Sequence, residues 1–187
     1  MPHPHLETIR TRLRPAGEED VPRLYDVLAR LGLHSLPTPS AFAEQHRQGA
    51  EAQFAIHVRP SDDVIGFSSL QHLNRAGHIQ VGIFTDPALS KLGAGAEAMM
   101  LTVNYAFATW EHVRKVYFST TEASLRDLGR GMSLVPREAV IPEHLFFQGR
   151  LWDVHFYAIT RESWEESGAR IVDRMVRGLE RRDGQRA

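Results

Sequence analysis

An α+β fold, with a mixed but mostly antiparallel twisted sheet flanked by helices, is what this chain predicts. Three observations carry that expectation. Strand-like runs between residues 54 and 85 are joined by turns of a few residues, too short for parallel crossovers. One such run ends at Gly82-Ile83-Phe84-Thr85-Asp86-Pro87, and after Gly93 and Gly95 a long segment of helical period begins. A further strand, Lys115 to Ser119, follows that helix and completes a strand–helix–strand unit at the centre.

Taken in order, Thr11 to Arg14 reads as a first strand closed by Pro15. Gly17-Glu18-Glu19-Asp20 opens a helix with acidic residues in its first turn, and Val21, Leu24, Val27, Leu28 and Leu31 continue it until Gly32. Pro37-Thr38-Pro39-Ser40 is a linker, with Ser40 the expected N-cap of a second helix from Ala41 to Gln48. The period then changes to strands at Phe54–Val58, Val64–Leu70 and His78–Thr85, separated by turns at Pro60–Asp63 and Asn74–Gly77. The central helix runs from about Gly95 to Trp110, with Met99, Met100, Val103, Ala106, Phe107 and Trp110 as its apolar stripe. A short helix from Glu122 to Leu128 and two strands, Val135–Phe147 and Leu151–Ile159, flank Gln148-Gly149-Arg150, and Trp164 closes the domain. The expected division is a flexible lead at 1–10, a domain at 11–166, and an amphipathic helix and tail at 167–187.

With 42% hydrophobic residues in 187, the chain can bury a real core, and 24% charged residues is ordinary for a folded protein. A formal net charge of −1 gives no general attraction to DNA or to a membrane surface. Without cysteine there is no disulfide, thiolate metal site or cysteine nucleophile. No apolar run approaches the roughly 18 residues of a membrane span, and Met1-Pro2-His3-Pro4-His5 lacks a signal core, so a cytoplasmic protein is expected. The histidines show no helical His-x-x-x-His pattern, and no metal is expected.

Two close glycines ahead of a long helix build a cradle of free backbone N–H groups at its positive end. Glycine lets a phosphate approach the main chain, so the residues point to a phosphate-bearing ligand. The plainer alternative is that Gly93 and Gly95 only shape a turn.

In this setting the sequence resembles the GNAT superfamily of N-acyltransferases, most closely its RimJ/RimL-like branch. The fragments that carry the resemblance are the Gly-Ile-Phe-Thr strand end, Asn104-Tyr105-Ala106-Phe107 in the helix, and Arg114-Lys115-Val116-Tyr117 in the next strand. Gly149-Arg150-Leu151-Trp152-Asp153, Phe156-Tyr157-Ala158-Ile159 and Arg161-Glu162-Ser163-Trp164 continue it to the end of the domain. The resemblance implies acetyl-coenzyme A as donor. It implies that main-chain groups of Ile83, Phe84 and Thr85 pair with the pantetheine arm, and that amides from Leu92 through Gly93, Ala94, Gly95 and Ala96 hold the diphosphate. Ser90 stands where the family usually has Gln or Arg, with Lys91 beside it as a flexible cation. Thr121 occupies the position of the branch's Asn, Ser124 keeps its serine, and Gly131-Met132 replaces the usual Gly-Phe.

Acyl transfer to an amine needs a neutral nucleophile, an oxyanion donor and a proton for the leaving thiolate. The resemblance implies a backbone amide near Phe84 or Thr85 as oxyanion donor and Tyr157 as general acid. His78 shares a strand face with Gln80 and titrates in a useful range, which makes it a candidate base. Glu143 and His144 are candidates for binding a cationic amine or relaying a proton. Asp153 and His155 alternate with Tyr157 and should share its face; a water could equally serve as base.

The resemblance implies a small-molecule or peptide amine as acceptor, and its pocket is expected from Leu31–Gln48 and Val135–Arg150. The rival readings are an acyltransferase using another thioester or an aminoacyl-tRNA, and a GNAT-fold binding protein without turnover. In the tail, Ile171, Met175 and Leu179 form a stripe joined by Val172 and Val176 and bordered by Arg170, Arg174, Arg177, Arg181 and Arg182. Such a helix suits packing on its own domain or, next, a homodimer contact.

Overall fold

The computed structural model describes residues 2–33, 35–86, 88–89, 93–127, 135–147 and 149–184, with backbone alone at 47, 126, 127 and 179–184. The predicted fold class is the one seen. Seven strands form one sheet in the order β1-β2-β3-β4-β5-β7-β6. They are β1 (Thr11–Pro15), β2 (Ala52–Val58), β3 (Asp63–Gln71), β4 (His78–Thr85), β5 (Lys115–Thr120), β6 (Arg137–Phe147) and β7 (Arg150–Thr160). Every neighbouring pair is antiparallel except β4 with β5. The exception follows from the connection: β4 and β5 are joined through the long helix α3 (Ala94–Thr109), the crossover that a parallel pair requires.

Helices cover both faces. On one side α1 (Val21–Arg30) and α2 (Pro39–Gln48) lay Leu24, Leu28 and Phe42 against Ala55, Val64, Phe67 and Phe84. On the other, α3 packs against Ile56, Ile79, Val81, Val116 and Phe118. This double cover explains why β3 is buried almost throughout and reads as a continuous apolar run. The N-cap of α2 is Thr38 rather than Ser40: its side chain accepts the N–H of Ala41 at 3.2 Å, and Pro39 takes the first helical position, where no N–H is needed.

Helix α3 exceeds its expected one-sided stripe. Leu101, Val103, Ala106 and Phe107 are fully buried, and so are the polar Thr102 and Asn104. The far side is covered by the chain's two ends. The Asn104 amide donates to the His3 carbonyl at 2.6 Å and accepts from the Trp164 indole N–H at 3.3 Å. Residues of the lead also make contacts with β1, including a Leu13 N–H to Leu6 carbonyl bond of 2.7 Å.

After α4 (Glu122–Asp127) and the β6–β7 hairpin come α5 (Arg161–Ser163), a wide turn at Trp164–Gly168, and α6 (Ala169–Gly184). Residues 128–134, with the expected Leu128 end of α4 and Gly131-Met132, lie outside the described residues. Arg161 donates to the carbonyls of Phe107 (3.0 Å) and Trp110 (2.8 Å), which the end of α3 leaves without a helical partner, and to that of Val113 (2.8 Å) in the turn beyond. In α6 the packed residues are Val172, Met175 and Val176, whereas Ile171 is exposed.

Candidate functional site

The site is built around a parting of strands. β4 pairs with β5 over three residue pairs only, His78↔Lys115, Ile79↔Val116 and Gln80↔Tyr117. On its other edge β4 stays paired with β3 through Thr85. The Asp86 N–H donates to the Ile65 carbonyl at 2.7 Å, which fixes the alternation of the β3–β4 ladder. Phe84 and Gly82 therefore turn their N–H groups toward β3. The Val81 N–H faces Tyr117 at the last β4–β5 pair, and those of Ile83 and Thr85 turn toward the gap where β5 has diverged. Of the two oxyanion donors expected, Thr85 faces the gap and Phe84 does not.

At the end of that gap stands the N-terminus of α3. Gly93 is its N-cap at φ +90°, a left-handed conformation that glycine adopts without strain. Gly95 has no comparable internal reason to be glycine. A Cβ there would meet only Thr85, at 3.8 Å, so the space beside it is open. Ala94 is buried and Ala96 half-buried, while Ser90, Lys91 and Leu92 lie outside the described residues.

A cation that sequence reasoning missed reaches this spot from just before β1. The Arg10 guanidinium donates from Nε to Glu97 Oε1 at 2.6 Å and holds the same oxygen through Nη2 at 2.6 Å. The Glu97 side chain is 7% exposed, and its other oxygen accepts the Thr8 hydroxyl. Arg10 Nη1 lies 3.4 Å from where a Gly93 Cβ would be. A buried carboxylate thus aims a largely exposed guanidinium across the start of α3. On the α1 side, Arg30 pairs with buried Asp86 at 2.7 Å, and Asp86 accepts the Ala88 N–H at 2.8 Å, shaping the turn after β4. Thr121 caps α4, accepting the Ser124 N–H at 3.3 Å, with the Ser124 hydroxyl at 3.3 Å.

Where β4 and β5 separate, a cleft of about 220 Å³ opens on the α1/α2 face. Its wall includes His72, Asn74, His78, Gln80, Tyr117 and Phe156. The His78 ring meets the Tyr117 ring edge-on at 5.4 Å. Beside it Lys115 Nζ donates to Glu138 Oε1 at 2.6 Å and to the Tyr117 oxygen at 3.4 Å. Hydrogen bonds to Glu138 and then Tyr117 raise the Lys115 ammonium above its ordinary range. The Lys115 bond in turn holds the Glu138 carboxyl below the usual carboxylate range. Both charges therefore stand at neutral pH and balance each other.

The catalytic candidates are not gathered in one place. Tyr157 lies across the sheet from His78, on the α3 face, 6% exposed, its ring stacked on Phe118 at 5.1 Å. Its hydroxyl is 3.5 Å from buried His155 Nδ1. Glu143 is exposed on the outer strand β6, three strands from β4, roughly 14 Å at ordinary strand spacing. There the β6–β7 register slips between Ile141 and Leu145; Glu143 sits at φ +50° and its N–H donates to Asp153 Oδ1 at 2.9 Å. The two segments expected to form the acceptor pocket do meet, through a bridge between Leu33 and Phe147.

Comparison with known proteins supplies the identity of this arrangement. The family model described as the acetyltransferase (GNAT) domain matches residues 10–126. The chain belongs to the GNAT acetyltransferase family. Among solved structures, mutant forms of the spermidine/spermine N-acetyltransferase SpeG from Vibrio cholerae match with TM-score 0.69 and 15% identity, over 84% of this chain and 97% of that one. A GNAT-family acetyltransferase from Bacillus anthracis matches with TM-score 0.63 and 16% identity over 84% and 98%. A probable GNAT-family acetyltransferase from Chromobacterium violaceum gives 0.62 and 18% over 88% and 90%. At such identities the likeness is one of fold. No curated protein sequence matches.

Among the described residues no cluster of histidine and carboxylate side chains is set to hold a metal. No described helix is long and apolar enough to cross a membrane.

Proposed function

We propose that this chain moves an acetyl group from acetyl-coenzyme A to a primary amine, as an N-acetyltransferase of the RimJ/RimL type. The observation that carries the reading is the early parting of β4 from β5, which leaves the edge of β4 at Ile83 and Thr85 without β5 as a neighbour, beside the glycine-started α3. Pairing those groups with the pantetheine amides resembles adding a strand. Amides at Gly93 to Ala96, with Leu92, Lys91 and Arg10, receive the diphosphate.

The amine nitrogen attacks the thioester carbonyl carbon, and the oxyanion that forms is held by an edge N–H, Ile83 or Thr85. The carbon–sulfur bond then breaks, and the thiolate takes a proton from the phenol of Tyr157, a residue on the α3 face of the sheet. The proton lost by the amine passes to His78, or to water, on the opposite face. Acid and base thus approach from the two sides of the sheet. Glu143 stands apart from this scheme, on the outer hairpin. Thr121 and Ser124 serve by fixing α4 at the edge of the gap.

Calorimetric titration with acetyl-coenzyme A, followed by thiol release over an amine panel, tests the reading. Micromolar binding and amine-dependent release are expected. Failure to bind any acyl-coenzyme A overturns it.

A further inference from the structure

The cleft beside the parting strands has a one-sided chemistry that bears on the acceptor. Asn74 Oδ1 accepts the N–H groups of Ala76 (3.0 Å) and His78 (3.2 Å), which fixes the amide's orientation and leaves its nitrogen as a donor. The His72 imidazole adds further donor capacity. His72 sits at φ +58°, a left-handed backbone that costs free energy in a non-glycine residue and that clusters at ligand-contacting positions. Among the described residues lining the cleft none is a carboxylate. The carboxylate beside it, Glu138, is already engaged by Lys115 at 2.6 Å.

A polyamine entering this cleft would bring ammonium groups that no lining residue can neutralise. A carboxylate entering it would find donors at the rim. The end of the cleft nearer the proposed acyl transfer at Ile83 is the other one, at Gln80 and Tyr117, the last paired residues of β4 and β5. We propose that the acceptor is a compact amino-carboxylate, its amine at Gln80 and Tyr117 and its carboxylate against Asn74 and His72. This rests on the acetyl-transfer reading above. From Gln80 to His78 is a rise of two strand residues, about 6.6 Å. That suits an amine and a carboxylate several bonds apart, as in 4-aminobutyrate or 4-aminobenzoate, better than the adjacent groups of an α-amino acid. A cleft of about 220 Å³, some seven water volumes, suits a molecule of that size.

The experiment compares 4-aminobutyrate, 4-aminobenzoate, butylamine, glycine and spermidine at saturating acetyl-coenzyme A, reading thiol release. The amino-carboxylates are expected to exceed butylamine and spermidine at least tenfold in kcat/KM. Asn74→Asp keeps the oxygen that accepts both turn N–H groups but replaces the donor by a carboxylate oxygen. It is expected to lower kcat/KM for 4-aminobutyrate at least tenfold and to reverse its preference over butylamine, with Tm unchanged.

Equal or better turnover of butylamine or spermidine by the unaltered protein overturns the proposal, even if Asn74→Asp does not fold. If thiol release is too slow to compare, the Asn74 side-chain amide and histidine resonances decide. Shifts with 4-aminobutyrate but not butylamine support it, and no shift overturns it. Donor binding, measured separately by calorimetry, tells the two failures apart. A protein that binds acetyl-coenzyme A yet prefers another amine refutes only the acceptor. One that binds no acyl-coenzyme A refutes the underlying reading.

Discussion

Replacing Arg10 by Ala removes the cation that the fold carries to the start of α3. Two of its donors hold Glu97 at 2.6 Å, while the guanidinium-bearing side chain is 60% exposed and its Nη1 lies beside Gly93. A charge-assisted hydrogen bond contributes about 1.5–3 kcal/mol. Solvent exposure favours the low end, so acetyl-coenzyme A should bind about tenfold more weakly. Folding should lose only about 1 kcal/mol, because water still reaches the guanidinium side of the ion pair and Thr8 continues to donate to Glu97. Arg10→Lys keeps the charge but not the fork, and should fall between the two. Calorimetry at two salt concentrations reads the affinity. A truncated thioester, S-acetyl-N-acetylcysteamine, supplies the control, since it has no diphosphate to lose contact with. The reasoning is refuted if a folded Arg10→Ala protein binds acetyl-coenzyme A as tightly as the parent, or if turnover of the truncated thioester falls by the same factor.

Gly95→Trp should block donor binding with little change in Tm, because only Thr85 lies near its Cβ position; retained binding would move the diphosphate elsewhere. Tyr157→Phe should lower kcat at least tenfold with little effect on donor affinity, and unchanged turnover would remove the phenol from the acid role. Arg161→Ala should destabilise the fold by about 3 kcal/mol, since it strips donors from three carbonyls at and just beyond the end of α3, and a denaturant midpoint within error of the parent would contradict that clamp. The Lys115–Glu138 pair should stabilise the fold across neutral pH. That contribution disappears as acid protonates the lowered Glu138 carboxyl, and again as base strips the raised Lys115 ammonium. Unfolding of the parent and Glu138→Gln should therefore differ near neutrality and converge at both extremes, and a constant offset would rule the pair out as the source.

Much of the β4–α3 region was legible because it rests on local rules. Alternation put Ile79 and Val81 in the core and left His78 and Gln80 facing the cleft. The glycine turn marked the start of α3, one residue from where it was expected. The N-cap of α2 was misplaced because Thr38 and Ser40 are both good caps, and only the fixed position of Pro39 separates them. The full burial of α3 was not legible, since a moment along one helix does not register that both chain ends will close over it.

Arg10 shows the remaining limit. It precedes Gly93 by 83 positions, and no spacing rule connects an arginine before the first strand to the start of the central helix. The sequence alone determined which residues could form strands, where the chain had to turn, and that two glycines mark the start of a helix, because these depend on near neighbours. Only the tertiary structure decided that β5 leaves β4 after Gln80, that Tyr157 and His78 lie on opposite faces, and that Glu97 holds Arg10 over Gly93. Those are consequences of sheet order and twist, which place distant segments side by side for reasons of packing that no local stretch of residues contains.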